Sequence, residues 1–255
     1  MTAPLLTCAN VTVRFGGLTA VDDVSFVVMP GELLGLIGPN GAGKTTMMRS
    51  ITGQVRPQSG SIVLNGEPLD GLPIERRIRR GLSLSQQLVK PLRSITLAEN
   101  VALAAGVKAG KTTSPLASLL SVSDAEEKAR ARTLLDMVGI GQRADQTAAT
   151  QPLGVLKRLE MARALALEPQ VLLLDEPLAG LNSKEARGLA DTIRDIHAGG
   201  VTIILIEHNL GEVMRICQRL VVQDNGRKIA DGEPRAVMND PIVRAAYLGG
   251  DTLAA

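Results

Sequence analysis

The hydrophobic pattern changes period three times along the chain. Leu5–Val13 alternates as a strand does, and Val24–Met29 reads as a second strand closed by the turn Pro30-Gly31. Leu33–Ile37 is a continuous apolar run, the pattern of a strand covered on both faces; it leads into a glycine-rich turn and a helix beginning near Gly43. Ser61–Leu64 followed by Asn65-Gly66 reads as one arm of a hairpin. Between Thr96 and Met137 the chain becomes rich in Ala, Leu and charge. Helices are expected over Leu97–Leu103 and Ala125–Met137, with a mobile Gly/Lys/Thr/Ser loop at Gly106–Pro115 between them. From Leu156 onward helix and strand alternate: a helix, the strand Val171–Leu174, the helix Lys184–His197 and the strand Val201–Ile206. That alternation predicts a parallel sheet with helices on its faces. The expected fold is therefore α/β, with antiparallel strands near the N-terminus and a helical insertion at about residues 90–150. No internal repeat or heptad pattern is present.

Composition narrows what such a fold does. Hydrophobic residues make up 45% of the 255 positions and charged residues 21%, ordinary figures for a globular chain. Only Phe15, Phe26 and Tyr247 are aromatic, so the core must be built from aliphatic side chains and methionine. A net charge of +2 gives no electrostatic reason to expect a nucleic-acid partner. The run Arg76-Arg77-Arg79-Arg80 reads as a solvated helix end or a contact for acidic partner residues. Cys8 and Cys217 have neither metal-ligand spacing nor a disulfide pattern, as expected of a reducing interior. Met1–Asn10 lacks the features of a signal peptide, and no apolar run is long enough to span a bilayer. A membrane role is thus expected to be exerted from outside the lipid.

Two motifs carry chemistry. Gly38-Pro39-Asn40-Gly41-Ala42-Gly43-Lys44-Thr45-Thr46 matches the phosphate-binding pattern in full, between a strand and a helix. Glycines let the backbone curl so that successive N–H groups face phosphate oxygens, and the following helix adds the positive end of its dipole. Lys44 is expected to bridge the β- and γ-phosphates and Thr45 to ligate Mg²⁺. The second motif is the strand Val171–Leu174 running into Asp175 and Glu176, placed to hold the metal's coordination shell and to polarise an attacking water. His208 follows the strand Val201–Glu207 at its carboxyl end, where ligand sites of α/β sheets lie and within reach of a γ-phosphate. His197 lies near a helix end, where it favours the dipole.

Across essentially its whole length the chain resembles the ATP-binding cassette family. The resemblance implies a P-loop NTPase (RecA-like) core with a mostly parallel sheet, an N-terminal antiparallel β subdomain and an inserted α-helical subdomain. Residues 1–255 would form one cassette: 1–87 and 155–235 the nucleotide-binding core, 88–154 the helical part and 236–255 a C-terminal extension. It assigns Phe15 to adenine stacking, against the alternative of a plain core residue. Gln87, with Gln86 beside it, matches the glutamine that senses Mg²⁺ and the transmembrane partner. Asp175, Glu176, Asn182 and His208 match the metal carboxylate, the catalytic carboxylate, the dimer-contact loop and the switch histidine. Phe15–Val21, Ile206–Asn209, Gly226–Gly232 and the tail Asn239–Gly249 resemble the ATPase subunits of branched-chain amino acid importers. The partners so implied are two transmembrane permeases, a second ATPase subunit (in a heterodimer, with a homodimer as the alternative), and indirectly a solute-binding protein. The expected location is the cytoplasmic face of the inner membrane, and the cofactors are ATP and Mg²⁺.

One segment departs from the family. Its signature helix begins Leu-Ser-Gly-Gly-Gln, whereas here Gln151-Pro152-Leu153-Gly154-Val155 stands, with only the glycine kept. Proline at a helix start is harmless, but the serine hydroxyl that the family aims at a γ-phosphate across a dimer is gone. Two competing readings follow: a soluble ATPase of the same superfamily outside transport, and a regulatory cassette with impaired hydrolysis.

Overall fold

The computed structural model describes residues 2–85, 90–108 and 125–249. β1 (Leu6–Phe15) and β2 (Leu18–Val28) form a hairpin, followed by β3 (Leu33–Ile37) and α1 (Lys44–Thr52). β4 (Ser59–Leu64), the short β5 (Glu67–Pro68), α2 (Ile74–Arg79) and β6 (Leu82–Ser85) come next. A helical stretch holds α3 (Leu97–Lys108), α4 (Ala125–Met137) and α5 (Leu153–Leu165). The chain then runs through β7 (Val171–Asp175), α6 (Ser183–Ala198), β8 (Thr202–Ile206), α7 (Leu210–Ile216), β9 (Arg219–Asp224), β10 (Arg227–Gly232), α8 (Pro234–Asn239) and α9 (Pro241–Gly249).

The strands build two sheets. The antiparallel one has the order β2-β1-β4-β5, and the six-stranded one has the order β10-β9-β3-β8-β7-β6. In the larger sheet β9, β3, β8, β7 and β6 run parallel, and β10 returns antiparallel against β9. Alternate residues of its strands enter different cores. Leu34, Leu36, Leu173, Ile204 and Val221 join α1 and the antiparallel sheet in one cluster. Leu33, Ile37, Leu172, Leu174, Leu205 and Val222 join the helices on the opposite face in the other. Burial on both faces is why these strands read as unbroken apolar runs.

The sequence expectations meet the structure with five differences. β1 continues through Arg14 to Phe15 and β2 begins at Leu18, because Gly16, at φ 57°, makes a tight hairpin turn between them. The hairpin β9–β10 was not visible in the hydrophobic pattern; its turn is Asn225-Gly226, both at positive φ. Gly106 and Lys108 belong to α3 rather than to the loop expected from Gly106, and residues 109–115 of that expectation lie outside the described residues. Phe15 is 51% exposed and is no core residue.

The fifth difference concerns the basic cluster. Arg77 is 4% exposed rather than solvated. Its Nη1 donates to the carbonyls of Ser50 and Ile51, both at 2.8 Å, and its Nε donates to Leu72 O at 3.1 Å. The Ser50 and Ile51 carbonyls lie in the last turn of α1, where Ser50 O also accepts from the N–H of the C-cap Gly53 at 3.2 Å, so Arg77 on α2 adds to that cap. Gly53 leaves the room: a Cβ there would lie 2.7 Å from Arg77 Nε. Arg77→Met should therefore destabilise the fold by about 1–3 kcal/mol, the cost of a buried acceptor left unmade. Urea denaturation should show a lower midpoint with an unchanged slope.

Candidate functional site

The loop after β3 is shaped by its neighbours. Gly38 has φ 147°, and a Cβ on it would sit 1.9 Å from the carbonyl oxygen of Gln223 on β9. Gly43, the N-cap of α1 at φ 98°, would bring a Cβ within 2.2 Å of Ala20 O. Only glycine fits either place. The β9–β10 turn adds a tether, Gly226 N–H donating to Ala42 O at 3.1 Å, while Asp22 N–H donates to Gly226 O at 2.8 Å. Residues 38–43 thus form a curled backbone nest at the start of a helix.

Lys44, 5% exposed, folds back over this nest and donates from Nζ to the carbonyls of Gly38 and Pro39, at 2.8 Å each. Burial lowers its pKa, and the charges of Glu176 and Asp175 oppose that shift. A cavity of about 570 Å³ opens above the loop. Asn40–Thr46 form its floor; Phe15, Leu18, Thr19 and Ala20 form a wall that Asn225 and Gly226 adjoin; Glu176 and His208 also line it. Phe15 and Leu18 are exposed at its rim, an apolar shelf next to a polar floor.

The carboxylates sit at the ends of β7 and β8. Asp175 ends β7, and its buried Oδ1 has no hydrogen-bond partner within the protein. Burial first, then the neighbouring Glu176, raises its pKa above the usual carboxylate range, while Arg49, Lys157 and Lys44 act against the shift. An orphaned, partly desolvated oxygen of this kind suits a hard cation, which satisfies it with charge as well as geometry. Among the described residues no group of three or more His, Cys, Asp or Glu would hold a metal by itself. That also fits Mg²⁺, which is commonly held by one or two protein oxygens together with phosphate oxygens.

Glu176 adopts φ 50°, a left-handed conformation rare outside glycine, and three contacts hold it there. Its N–H donates to Ile206 O at 2.9 Å, its carbonyl accepts from Lys157 Nζ at 3.1 Å, and its Oε1 lies 3.0 Å from His208 Nε2. Glu207, 3% exposed, braces the same turn by accepting from Leu178 N–H at 2.6 Å and His208 N–H at 3.1 Å. Burial pushes the Glu207 carboxyl up, against the pull of those backbone donors. Neither Lys157 nor Glu207 was singled out from sequence. Glu207 had a signal, an acid directly before His208 at a strand end; Lys157 had none, since it sits one helix away.

The structure thus brings Phe15, Gly38–Thr46, Asp175, Glu176 and His208 to one end of the parallel sheet, around or beside the cavity. Gln87 lies outside the described residues. Gln151–Val155 do not line this cavity. Pro152 is the N-cap of α5 at φ −66° and ψ 160°, without a side-chain cap. Pro152, Gly154 and Val155 border a separate cavity of about 200 Å³ with Arg143, Arg158 and Glu185. Gln151 is 9% exposed, its amide donating to Gln146 Oε1 and Thr147 O and accepting from Arg143 Nη1. Asn182 caps α6, accepting from Glu185 N–H at 3.0 Å in a capping box. His197 lies in the last turn of α6, with Nδ1 3.3 Å from Val201 O.

Comparison with known proteins agrees with this arrangement. Residues 21–179 match the family described as ABC transporter, and residues 227–252 match that described as branched-chain amino acid ATP-binding cassette transporter. The high-affinity branched-chain amino acid transport ATP-binding protein LivG of Escherichia coli (strain K12) is 38% identical over 258 residues, covering 98% of this chain and 99% of that protein. BraF of Pseudomonas aeruginosa, of the same description, is 38% identical with the same coverage. The crystal structure of an ATP-binding cassette of an ABC transporter in its ADP conformation superposes with a TM-score of 0.85 at 30% identity, covering 97% of this chain and 100% of that one. No helix among the described residues is long and apolar enough to cross a membrane. A full phosphate nest, a facing carboxylate pair and this similarity over nearly the whole length make the chain a member of the ABC transporter family and one of its ATP-binding cassettes.

Proposed function

We propose that this chain is the ATP-binding and hydrolysing subunit that drives import of branched-chain or related amino acids. The observation that carries the reading is one cavity with a phosphate nest as its floor and Glu176 with His208 across from it. The amino-acid assignment is supported by the relatives' described role and by the match of residues 227–252. On this reading residues 1–255 are one cassette with residues 88–154 as its helical part. It works at the cytoplasmic face of the inner membrane with two permeases and a second ATPase subunit.

The chemistry follows from the residues. Adenine stacks on Phe15, and the N–H groups of Asn40, Gly41 and Gly43–Thr46 take the phosphate oxygens. Lys44 exchanges the carbonyls of Gly38 and Pro39 for the β- and γ-phosphates, trading two neutral acceptors for charged ones. Thr45, Asp175 and Gln87 would hold Mg²⁺, which when bound supplies positive charge to the phosphate oxygens. Glu176 takes a proton from the attacking water, and His208 at 3.0 Å orients the carboxylate and faces the γ-phosphate. Lys157 and Glu207 fix the turn that aims Glu176.

Glu176→Gln keeps shape but removes the base, so Mg-ATP should still bind while steady-state turnover falls by about a hundredfold or more. Lys157→Met removes the donor to the Glu176 carbonyl together with a positive charge near Asp175 and Glu207. It should lower kcat by about tenfold, the equivalent of about 1.4 kcal/mol, with calorimetric ATP affinity unchanged.

A second reading, an assembly with unequal sites, is favoured by Pro152 and Val155. By family resemblance, each ATP lies between one subunit's phosphate loop and the other's signature helix. This chain would offer its partner a signature without the serine hydroxyl. Gln151 does not replace it, since its amide is engaged with Arg143, Gln146 and Thr147. Losing one preorganised donor typically lowers a rate by about 10²–10³. In a heterodimer with an intact cassette, ATP on Gly38–Thr46 should therefore turn over while the partner's ATP is slow. A Pro152→Ser/Val155→Gln double variant should accelerate the chain assayed alone. Rapid turnover of the unmodified chain alone, with no gain in the double variant, would exclude the unequal sites.

A further inference from the structure

β9 carries a buried amide that the chemistry above does not use. Gln223 is fully buried, and neither its Oε1 nor its Nε2 has a hydrogen-bond partner among the described residues. Most buried side-chain polar atoms are paired, and an amide with both ends unmade is costly to keep in a core. Its place in the sheet is specific. Ile37 of β3 lies opposite Val222 of β9, so Gly38 and Gln223 are the next two residues along these parallel strands. The carbonyl oxygen of Gln223 closes on Gly38 within 1.9 Å of where a Cβ would be. Strand alternation puts the Gln223 side chain on the face of Val221, which packs in one cluster with Leu36 and with Met47 of α1. Lys44, the first residue of that helix, holds the carbonyl of Gly38 in a buried hydrogen bond and that of Pro39 beside it.

We infer that Gln223 is a positioning residue for nucleotide binding: its amide takes over the Gly38 carbonyl when Lys44 moves to the phosphates. This inference rests on the nucleotide reading of the loop. Gly38 is itself buried, so the carbonyl that Lys44 leaves becomes an unmade acceptor unless a neighbouring donor turns to it. Gln223 supplies such a donor from the adjacent strand and on the face where α1 packs. Its long side chain reaches that carbonyl by rotation about side-chain bonds, without movement of β9. The two residues thus exchange roles. While Lys44 bonds the loop carbonyls the amide is unpaired; once Lys44 bonds phosphate the amide keeps the Gly38 peptide in place. The unpaired amide raises the free energy of the first arrangement, and its pairing favours the second, so the difference adds to affinity.

The test uses the full chain. Gln223→Met keeps the length of the side chain and removes the amide. In urea without nucleotide it should raise the denaturation midpoint at an unchanged slope, since an unpaired buried amide has been replaced by an apolar group. It should also weaken calorimetric Mg-ATP binding by about three- to tenfold, the worth of one neutral hydrogen bond, and raise KM more than it lowers kcat. Gln223→Leu, a second apolar replacement, should repeat both shifts. An amide with only a structural role would not raise stability and lower affinity together. Lys44→Met removes the donor that now holds Gly38, so in that background the amide is already engaged and adding Gln223→Met should lower the midpoint. A lower midpoint in Gln223→Met alone would overturn the inference, and so would wild-type Mg-ATP affinity in both single variants. An equal rise of the midpoint in the Lys44→Met background would overturn it too. The urea measurements need no nucleotide and separate these failures from that of the underlying reading. Absence of calorimetric binding in the unmodified chain would refute the nucleotide reading, and the inference with it.

Discussion

The approach of Gly38 to the carbonyl of Gln223 is the constraint on which the rest of the site depends. Two parallel strands converge there until no Cβ fits between them, and the chain leaving β3 must turn in the only direction open to it. That turn lays Asn40–Gly43 along the floor of the cavity and leads directly into α1. Gly226 on Ala42 and Ala20 beside Gly43 then hold the far side of the loop. A backbone nest defined by close packing needs no ligand to shape it, and its preorganisation is what makes it effective toward phosphate.

Around this nest the electrostatics are arranged as opposed pressures. Asp175 and Glu207 are carboxyls whose burial favours the proton, and Lys44 and Lys157 are ammonium groups whose burial disfavours it. Each group is held near a partner of the opposite sign, because an isolated charge in such a place would neutralise instead. The strained turn at Glu176 lies at the centre of the arrangement. Its left-handed backbone persists because a lysine, a strand carbonyl and a histidine each fix a different atom of the same residue.

Much of this was legible in the sequence where local rules decide it. Gly38–Thr46 and the Val171–Glu176 strand carry their chemistry in consecutive residues, and β3 was readable because an apolar run bounded by glycines has few alternatives. The β9–β10 hairpin escaped because β9 is buried on both faces and its short partner lacks clean alternation; the Asn225-Gly226 pair was the signal available. Arg77 was misread because a charge run looks solvated until the carbonyls it caps, more than twenty positions earlier, are in view. Lys157 serves Glu176 from another helix and no one-dimensional pattern encodes that, whereas Glu207 left a local trace as an acid beside His208 at a strand end.

The burial of Arg77 gives α1 an electrical character that the motif alone does not suggest. The helix spans nine residues, and its dipole ends at Ser50 and Ile51 on a guanidinium that has no solvent to screen it. Its opposite pole is the nest. With its carboxyl end bonded to a cation, the helix has its amino-terminal pole left open, and that pole favours anions. The field felt by a phosphate at residue 44 is therefore set partly at residue 77, on the segment leading into β6. Whatever displaces α2 alters that field along the helix axis without moving any residue that touches the nucleotide.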